Sequence, residues 1–267
     1  MQRNFIRLGL VGFVCVTIAW LLPVPTAHAG RVALILTGSS TVAPLVAEIA
    51  KRFETLHPGV RVDVQAGGSS RGLADARDGV ADIGMVSRAP SADEQDLHAR
   101  TIAQDGICMI AHRDNLVAEL TDEQVSLIYT GQITNWRDVG GLDAPITVVN
   151  KAEGRSTLEL FLHHFELKNS AIKPHVVIGD NEQGIKTVAG NPHAIGYVSI
   201  GTAEYDLANG VAIKVLPIGG VAAFISRPLN LVTREQPKGL ISTFLDFAQS
   251  QAVHDIVRGQ YFVPITK

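Results

Sequence analysis

From residue 32 onward the chain alternates short, unbroken apolar runs with stretches whose apolar positions recur every three or four residues. The first pattern predicts strands and the second predicts amphipathic helices. Val32 to Leu36 reads as a strand, followed by a helix with Leu45, Ile49, Phe53 and Leu56 on one face. Val60, Val62 and Val64 alternate as a second strand, a short helix carrying Leu73 runs to Gly79, and Asp82 to Val86 supplies a third strand. A first βαβαβ unit is complete by residue 87.

The scheme then starts again. After a strand around Ile107 to Ala111, Thr121 and Gln124 form a capping-box pattern at the head of a helix bearing Val125, Ile128 and Tyr129, which stops near Gly131. Strands are expected at Ile146–Val149, Val176–Ile178, Ala194–Val198 and Val211–Leu216, with a helix carrying Leu158, Phe161, Leu162 and Phe165 among them. From Arg227 the chain predicts one more strand, Leu229–Val232, and two helices, bearing Leu240, Ile241, Phe244 and Leu245 and then Val253, Ile256 and Val257. No linker rich in Pro, Ser or Gly separates the halves. The expectation is an α/β protein of two lobes, residues 30–111 plus 227–267 and residues 112–226, with two chain crossings and a cleft between them.

Composition narrows the function. The 267 residues are 46% apolar and 18% charged, with a formal net charge of -3. That balance gives no positive field to attract a nucleic acid, so any anion site must be local. Arg3 and Arg7 precede an apolar stretch, Leu8 to Leu22, then Pro23, Pro25 and Ala27-His28-Ala29. This reads as a signal peptide, residues 1–29, cleaved after Ala29. The apolar stretch is shorter than the roughly twenty residues of a membrane span; the competing reading is an uncleaved anchor. Cleavage removes two arginines and no acids, taking the net charge from -3 to -5. Cys15 leaves with the leader, where no lipoprotein-type box precedes it. Cys108, left alone, reads as a small buried hydrophobe on a strand.

Three segments place small hydroxyl and glycine residues between a strand and a helix: Gly38-Ser39-Ser40-Thr41, Gly67-Gly68-Ser69-Ser70 and Gly154-Arg155-Ser156-Thr157. The first amides of a helix lack intrahelical acceptors and carry the positive end of its dipole. With glycines that let the backbone approach and hydroxyls that donate, such a junction cradles an anion. Each segment alone also reads as an ordinary N-cap. Lys151 and Arg155 add cations at the third, unless they face solvent or pair with Glu153; Arg71 and Arg88 read as surface ion-pair partners.

At these residues the chain resembles the periplasmic phosphate-binding proteins of ABC phosphate-uptake systems. The resemblance rests on Gly38-Ser39-Ser40-Thr41-Val42-x-Pro44, Gly68-Ser69-Ser70-Arg71-Gly72, Ala81 to Arg88, and Tyr129-Thr130-Gly131-Gln132-Ile133-Thr134-Asn135-Trp136 with Gly140-Gly141. It implies a type II periplasmic-binding fold, two Rossmann-like lobes joined by two hinge strands and closing over dehydrated phosphate. By position, Ser40, Thr41 and Ser69 would offer hydroxyls and amides from one lobe. Ser156 and Thr157 would offer amides from the other, and Thr157 its hydroxyl. The resemblance further implies a periplasmic monomer that serves an ABC permease, with no cofactor, no metal and no catalysis.

The chain departs from the family in three places. Lys151 stands where the family's turn has arginine, and Arg155 where it has serine. Ser87 stands where longer members place an aspartate that accepts phosphate's own proton, which leaves sulfate as the alternative ligand. Gly220 to Ser226 is abbreviated.

A rival reading comes from Gly68-Ser69-Ser70-Arg71-Gly72, which fits the G-x-S-x-G elbow of α/β hydrolases with Ser70 as nucleophile and His175, His193 or His254 as base. No oxyanion segment of that family accompanies it. Glu159, His163, His164 and Glu166 lie close on one helix but lack a metal-ligand spacing, and read as a solvated face.

Overall fold

The computed structural model describes residues 32–265; the signal-peptide expectation for residues 1–29 lies outside them. The first half contains β1 (Val32–Gly38), α1 (Val42–Leu56), β2 (Val60–Ala66), α2 (Ser69–Asp78) and β3 (Ile83–Val86). The long β4 (His98–His112) leads to α3 (Asp122–Tyr129), β5 (Thr147–Lys151), α4 (Ser156–His164), β6 (Val176–Ile178), α5 (Asn181–Ala189), β7 (Ala194–Ser199), α6 (Ile200–Ala208) and β8 (Ile213–Leu216). The chain returns through β9 (Ile225–Thr233) and closes with α7 (Gly239–Ala248), α8 (His254–Gly259) and β10 (Val263–Pro264).

One curled mixed sheet, in the order β2-β1-β3-β9-β4-β7-β5-β6, runs through the molecule, with β8 and β10 also paired to β4. The pairs β1–β2, β1–β3, β5–β7 and β5–β6 are parallel, as βαβ crossovers require. β4 and β9 are antiparallel and pair from His98↔Thr233 to Ile107↔Ile225, with an irregularity between Thr101 and Ala103. Beyond Ile107, β4 pairs instead with β7 and β8. These two strands are the route by which the chain passes between the halves.

Alternation along the strands sorts the cores. Ile107, Met109 and Ala111 of β4, with Ile195 and Tyr197 of β7, pack toward α3 and α4. Cys108 and Ile110, with Ala194 and Val198, pack toward Ile185 and Val188 of α5 and Ala203 of α6. Both faces are covered, which is why Gly106 to Ala111 is nearly all apolar rather than alternating. A separate core joins Leu45, Ile49 and Phe53 of α1 to Leu36, Ile83, Leu231 and Phe244.

Candidate functional site

The β1–α1, β2–α2 and β5–α4 junctions converge. At the first, Ser39 and Thr41 are buried and Ser40 is half-buried. Ser39 is pinned through its N–H to the Met85 carbonyl at 2.8 Å, and its Oγ donates to Ser87 Oγ at 2.9 Å. At the second, buried Ser69 accepts the Ser87 N–H on its Oγ at 3.2 Å. At the third, Lys151, Ser156 and Thr157 are all buried, and Ser156 Oγ has no hydrogen-bond partner among the described residues.

The centre of this cluster is Arg227, on β9 and 2% exposed. Its Nη1 donates to Thr157 Oγ1 at 2.9 Å and reaches Ser87 Oγ at 3.4 Å, while Nη2 reaches Thr41 Oγ1 at 3.3 Å. The same guanidinium donates through Nε and Nη2 to Asp105 Oδ2 on β4, at 3.0 and 2.8 Å. Asp105 Oδ1 accepts from Ser199 Oγ at 3.0 Å and from the Gly201 N–H at 3.3 Å, so the carboxylate is fully engaged. Asn181, at the head of α5, donates to Thr41 Oγ1 at 3.1 Å and accepts from Lys151 Nζ at 3.0 Å. Hydroxyls from the first and third junctions, Thr41 and Thr157, together with Ser87 after β3, thus surround one buried guanidinium, while Ser69 of the second junction reaches it only through the Ser87 N–H; a second buried cation lies beside it.

The electrostatics follow from this packing. The cluster holds two buried cations, Lys151 and Arg227, and one buried carboxylate, Asp105, which is paired to Arg227. Burial, reinforced by the Arg227 charge, lowers the Lys151 ammonium from the usual lysine range to about 7. The first amides of α1, α2, α4 and α5 add positive helix ends. The cluster is built to stabilise negative charge.

At the rim the two halves touch. Gly68 adopts φ +102°, and a Cβ there would lie 2.7 Å from the Gly154 carbonyl, so only glycine admits this approach. The Ser70 N–H donates to that carbonyl at 3.3 Å. Glu159 of α4 accepts from Ser70 Oγ at 3.2 Å and from Arg88 Nε at 2.7 Å, and Arg88 also pairs with Glu94 at 2.6 Å.

Of the residues singled out from sequence, Thr41, Ser69, Ser87, Lys151, Ser156 and Thr157 are drawn together in this buried region. Ser40 sits at its edge. Arg155 is half-buried on the rim, its side chain over Gly68 and Gly179, with no polar side-chain partner among the described residues. The alternative Lys151–Glu153 pair is not formed, since Glu153 accepts from Asn169. Arg71 pairs with Asp75 on the surface as expected, whereas Arg88 bridges the rim. The hydrolase triad is not assembled: Ser70 Oγ donates to Glu159, and His175 Nδ1 accepts the Val148 N–H. A surface cavity of about 430 Å³ lined by Ile128, Ile133, Ile146 and Val148 shares no residue with the cluster.

Sequence reasoning missed Arg227, Asp105 and Asn181. The signal for the first two was a charge next to an apolar strand segment, Asp105 just before Ile107–Ala111 and Arg227 just before Leu229–Val232. Asn181 carried none, because α5, with Ile185 and Val188 as its apolar contacts, was not read as a helix.

Residues 24–252 match the PBP superfamily domain, and the chain belongs to that superfamily. Among solved structures it is similar to a putative phosphate ABC transporter substrate-binding protein with bound phosphate from Clostridium perfringens. That match has 33% identity and a TM-score of 0.80, and covers 88% of this chain and 100% of that one. An ABC-type phosphate transport receptor from Vibrio cholerae matches at 28% identity and TM-score 0.70, covering 87% of this chain and 100% of that one. The phosphate-binding protein PstS of Bacillus subtilis (strain 168) is 28% identical over 244 residues, 87% of this chain and 81% of the relative.

Proposed function

We propose that the chain is an extracytoplasmic solute-binding protein that takes inorganic phosphate between two lobes, residues 30–111 plus 227–267 and residues 112–226, and delivers it to an ABC permease. The observation that carries this reading is the buried cluster in which Lys151 and Arg227 outnumber Asp105, with the Thr41, Ser87 and Thr157 hydroxyls around them. Each charge-assisted hydrogen bond contributes about 1.5–3 kcal/mol, and a few of them reach the roughly 8 kcal/mol of micromolar affinity. Phosphate touching both lobes would favour the closed arrangement, because a ligand shifts an equilibrium only through its differential affinity for the two states. Ser40, Thr41, Ser69, Ser87, Lys151, Ser156 and Thr157 form the proposed contact set, to which Arg227 and Asn181 are added; Arg155 guards the rim.

The names of the relatives support a binding role without covalent chemistry, and the pattern of residues 1–29 supports export to the periplasm by a cleaved leader. No described helix is long and apolar enough to cross a membrane. The protein acts as a monomer in this reading. Sulfate is the second reading, favoured by one observation: Asp105, the buried carboxylate of the cluster, is saturated by Arg227, Ser199 and Gly201, so it has no acceptor left for phosphate's proton. Calorimetry with phosphate and with sulfate at pH 6 and pH 8 tests both. Tighter phosphate binding is expected; equal affinities overturn phosphate selectivity, and heat from neither overturns the oxyanion site.

A further inference from the structure

We infer that anion entry is coupled to protonation of Lys151, so that above neutral pH the protein takes up a proton as the anion binds. The inference rests on the oxyanion-binding reading and states how the charge of that site is set. Lys151 ends β5 and is 3% exposed, and its Nζ has one hydrogen-bond acceptor among the described residues, Asn181 Oδ1. No carboxylate pairs with it: Asp105 on β4 is committed to Arg227, and Glu153 accepts from Asn169. Asp180, ahead of α5, attracts it but caps its own helix through Gln183 N–H. Arg227 on β9 and Arg155 in the turn repel it. Cys108 on β4 and Tyr197 on β7 are both pushed up by burial and stay neutral.

An ammonium so placed sheds its proton near neutrality, at about pH 7. An arginine in the same place would keep its charge at every accessible pH. An oxyanion brought among these donors favours the charged form and raises the lysine's proton affinity. The sign is then fixed. Below about pH 7 Lys151 is charged with or without the anion and no proton moves. Above it, binding draws a proton in, and affinity falls with pH by up to about tenfold per unit until the liganded lysine itself titrates.

The test is calorimetry of the intact protein with inorganic phosphate at pH 6 and pH 8, in buffers of different ionisation enthalpy, which counts protons. Phosphate titrates in this range too, so the comparison is with Lys151→Arg, where phosphate's own contribution remains. At pH 8 the wild type is expected to take up more protons than the variant, and its affinity to fall about three- to tenfold more between the two pH values. Equal proton counts overturn the coupling and leave phosphate binding standing; no heat from the wild type at either pH overturns the reading beneath it. Carbon-13 NMR of lysine Cε in the wild type gives an answer independent of the variant. One resonance should titrate near neutrality without phosphate and move upward when phosphate saturates. Lysines that all titrate near 10.4 in both states overturn the inference.

Discussion

Asp105 and Arg227 stand directly opposite each other in the β4–β9 ladder, and Nε and Nη2 of the arginine donate to the same carboxylate oxygen at 3.0 and 2.8 Å. The pair sits where the chain passes between the two halves. Its position gives the arginine two tasks: one edge of the guanidinium is anchored in the ladder, and the remaining N–H groups turn toward the Thr41, Ser87 and Thr157 hydroxyls. Asp105 is a positioning residue in this arrangement, since it aims the cation.

Breaking a buried ion pair from one side leaves an uncompensated charge, which costs about 3–5 kcal/mol. Asp105→Asn should therefore lower the unfolding free energy by about that amount in a denaturant titration. It also raises the positive charge of the cluster, so saturating phosphate should lift the variant's thermal midpoint by more than it lifts the wild type's. A variant as stable as the wild type would show that the pair contributes nothing.

Thr157 and Arg155 belong to the same turn and differ in where they point. Thr157 is buried and bonded to Arg227, whereas Arg155 lies on the rim over Gly68 and Gly179. Thr157→Ala should weaken phosphate binding by about 1–2 kcal/mol, roughly five- to thirtyfold. Arg155→Ala should cost less than about threefold, as expected of a screened charge near the surface. Calorimetric titration of the two variants reads the order directly, and the reverse order would mean that the Arg155 side chain swings inward when the anion binds.

The contrast between these two residues also marks how far the sequence could be read. Junctions such as Gly38 to Thr41 were legible because hydroxyls after a strand have local consequences at the next helix. The run from Ile107 to Ala111 was legible because both its faces are apolar. The first part of β4, His98 to Gln104, was not: it carries His, Arg, Thr and Gln, and its strand character comes from pairing with β9, more than a hundred residues away. β9 likewise begins at Ile225, before the Leu229 that the apolar pattern suggested. The partnership of Asp105 with Arg227, and of Asn181 with both Thr41 and Lys151, exists only once the halves are folded together. Direction was equally hidden, since nothing local says that Lys151 turns inward and Arg155 outward.

A different ion pair makes the stability of the fold depend on acid pH. Glu94 accepts from both Nη atoms of Arg88 at 2.6 and 2.7 Å and from the Ser91 N–H at 2.9 Å. Arg88 first, then the Ser91 N–H, holds its carboxyl at about 2 against the ordinary 4.5, although burial works the other way. Because the folded value is depressed, the pair contributes its full stability above the unfolded value, and that contribution disappears as pH falls from about 4.5 toward about 2. It amounts to at most about 3 kcal/mol. Glu94→Gln should be less stable than the wild type at pH 7, and the gap should close by pH 2. A gap that stays constant across this range would assign the stability to packing.

The proposed preference between phosphate and sulfate is testable at Ser87. Its Oγ accepts from Ser39 Oγ at 2.9 Å and lies 3.4 Å from Arg227 Nη1, which leaves its own proton free to donate. A hydroxyl that can donate or accept serves a protonated and a bare oxyanion oxygen alike, so it gives no reason to refuse sulfate. A carboxylate in its place would only accept. It would hold phosphate through the P–O–H proton and repel an anion that has none, while Arg227 nearby would offset the added negative charge. Ser87→Asp should therefore raise the ratio of sulfate to phosphate dissociation constants at least about tenfold over the wild type, or about 1.4 kcal/mol. Most of the change should come from weaker sulfate binding. The measurement is displacement calorimetry of each anion at pH 6, where the Lys151 ammonium is charged in wild type and variant. A ratio that does not move would place the anion's proton against another group, and Thr41 Oγ1, already accepting from Asn181 and Arg227, would be the hydroxyl to replace next.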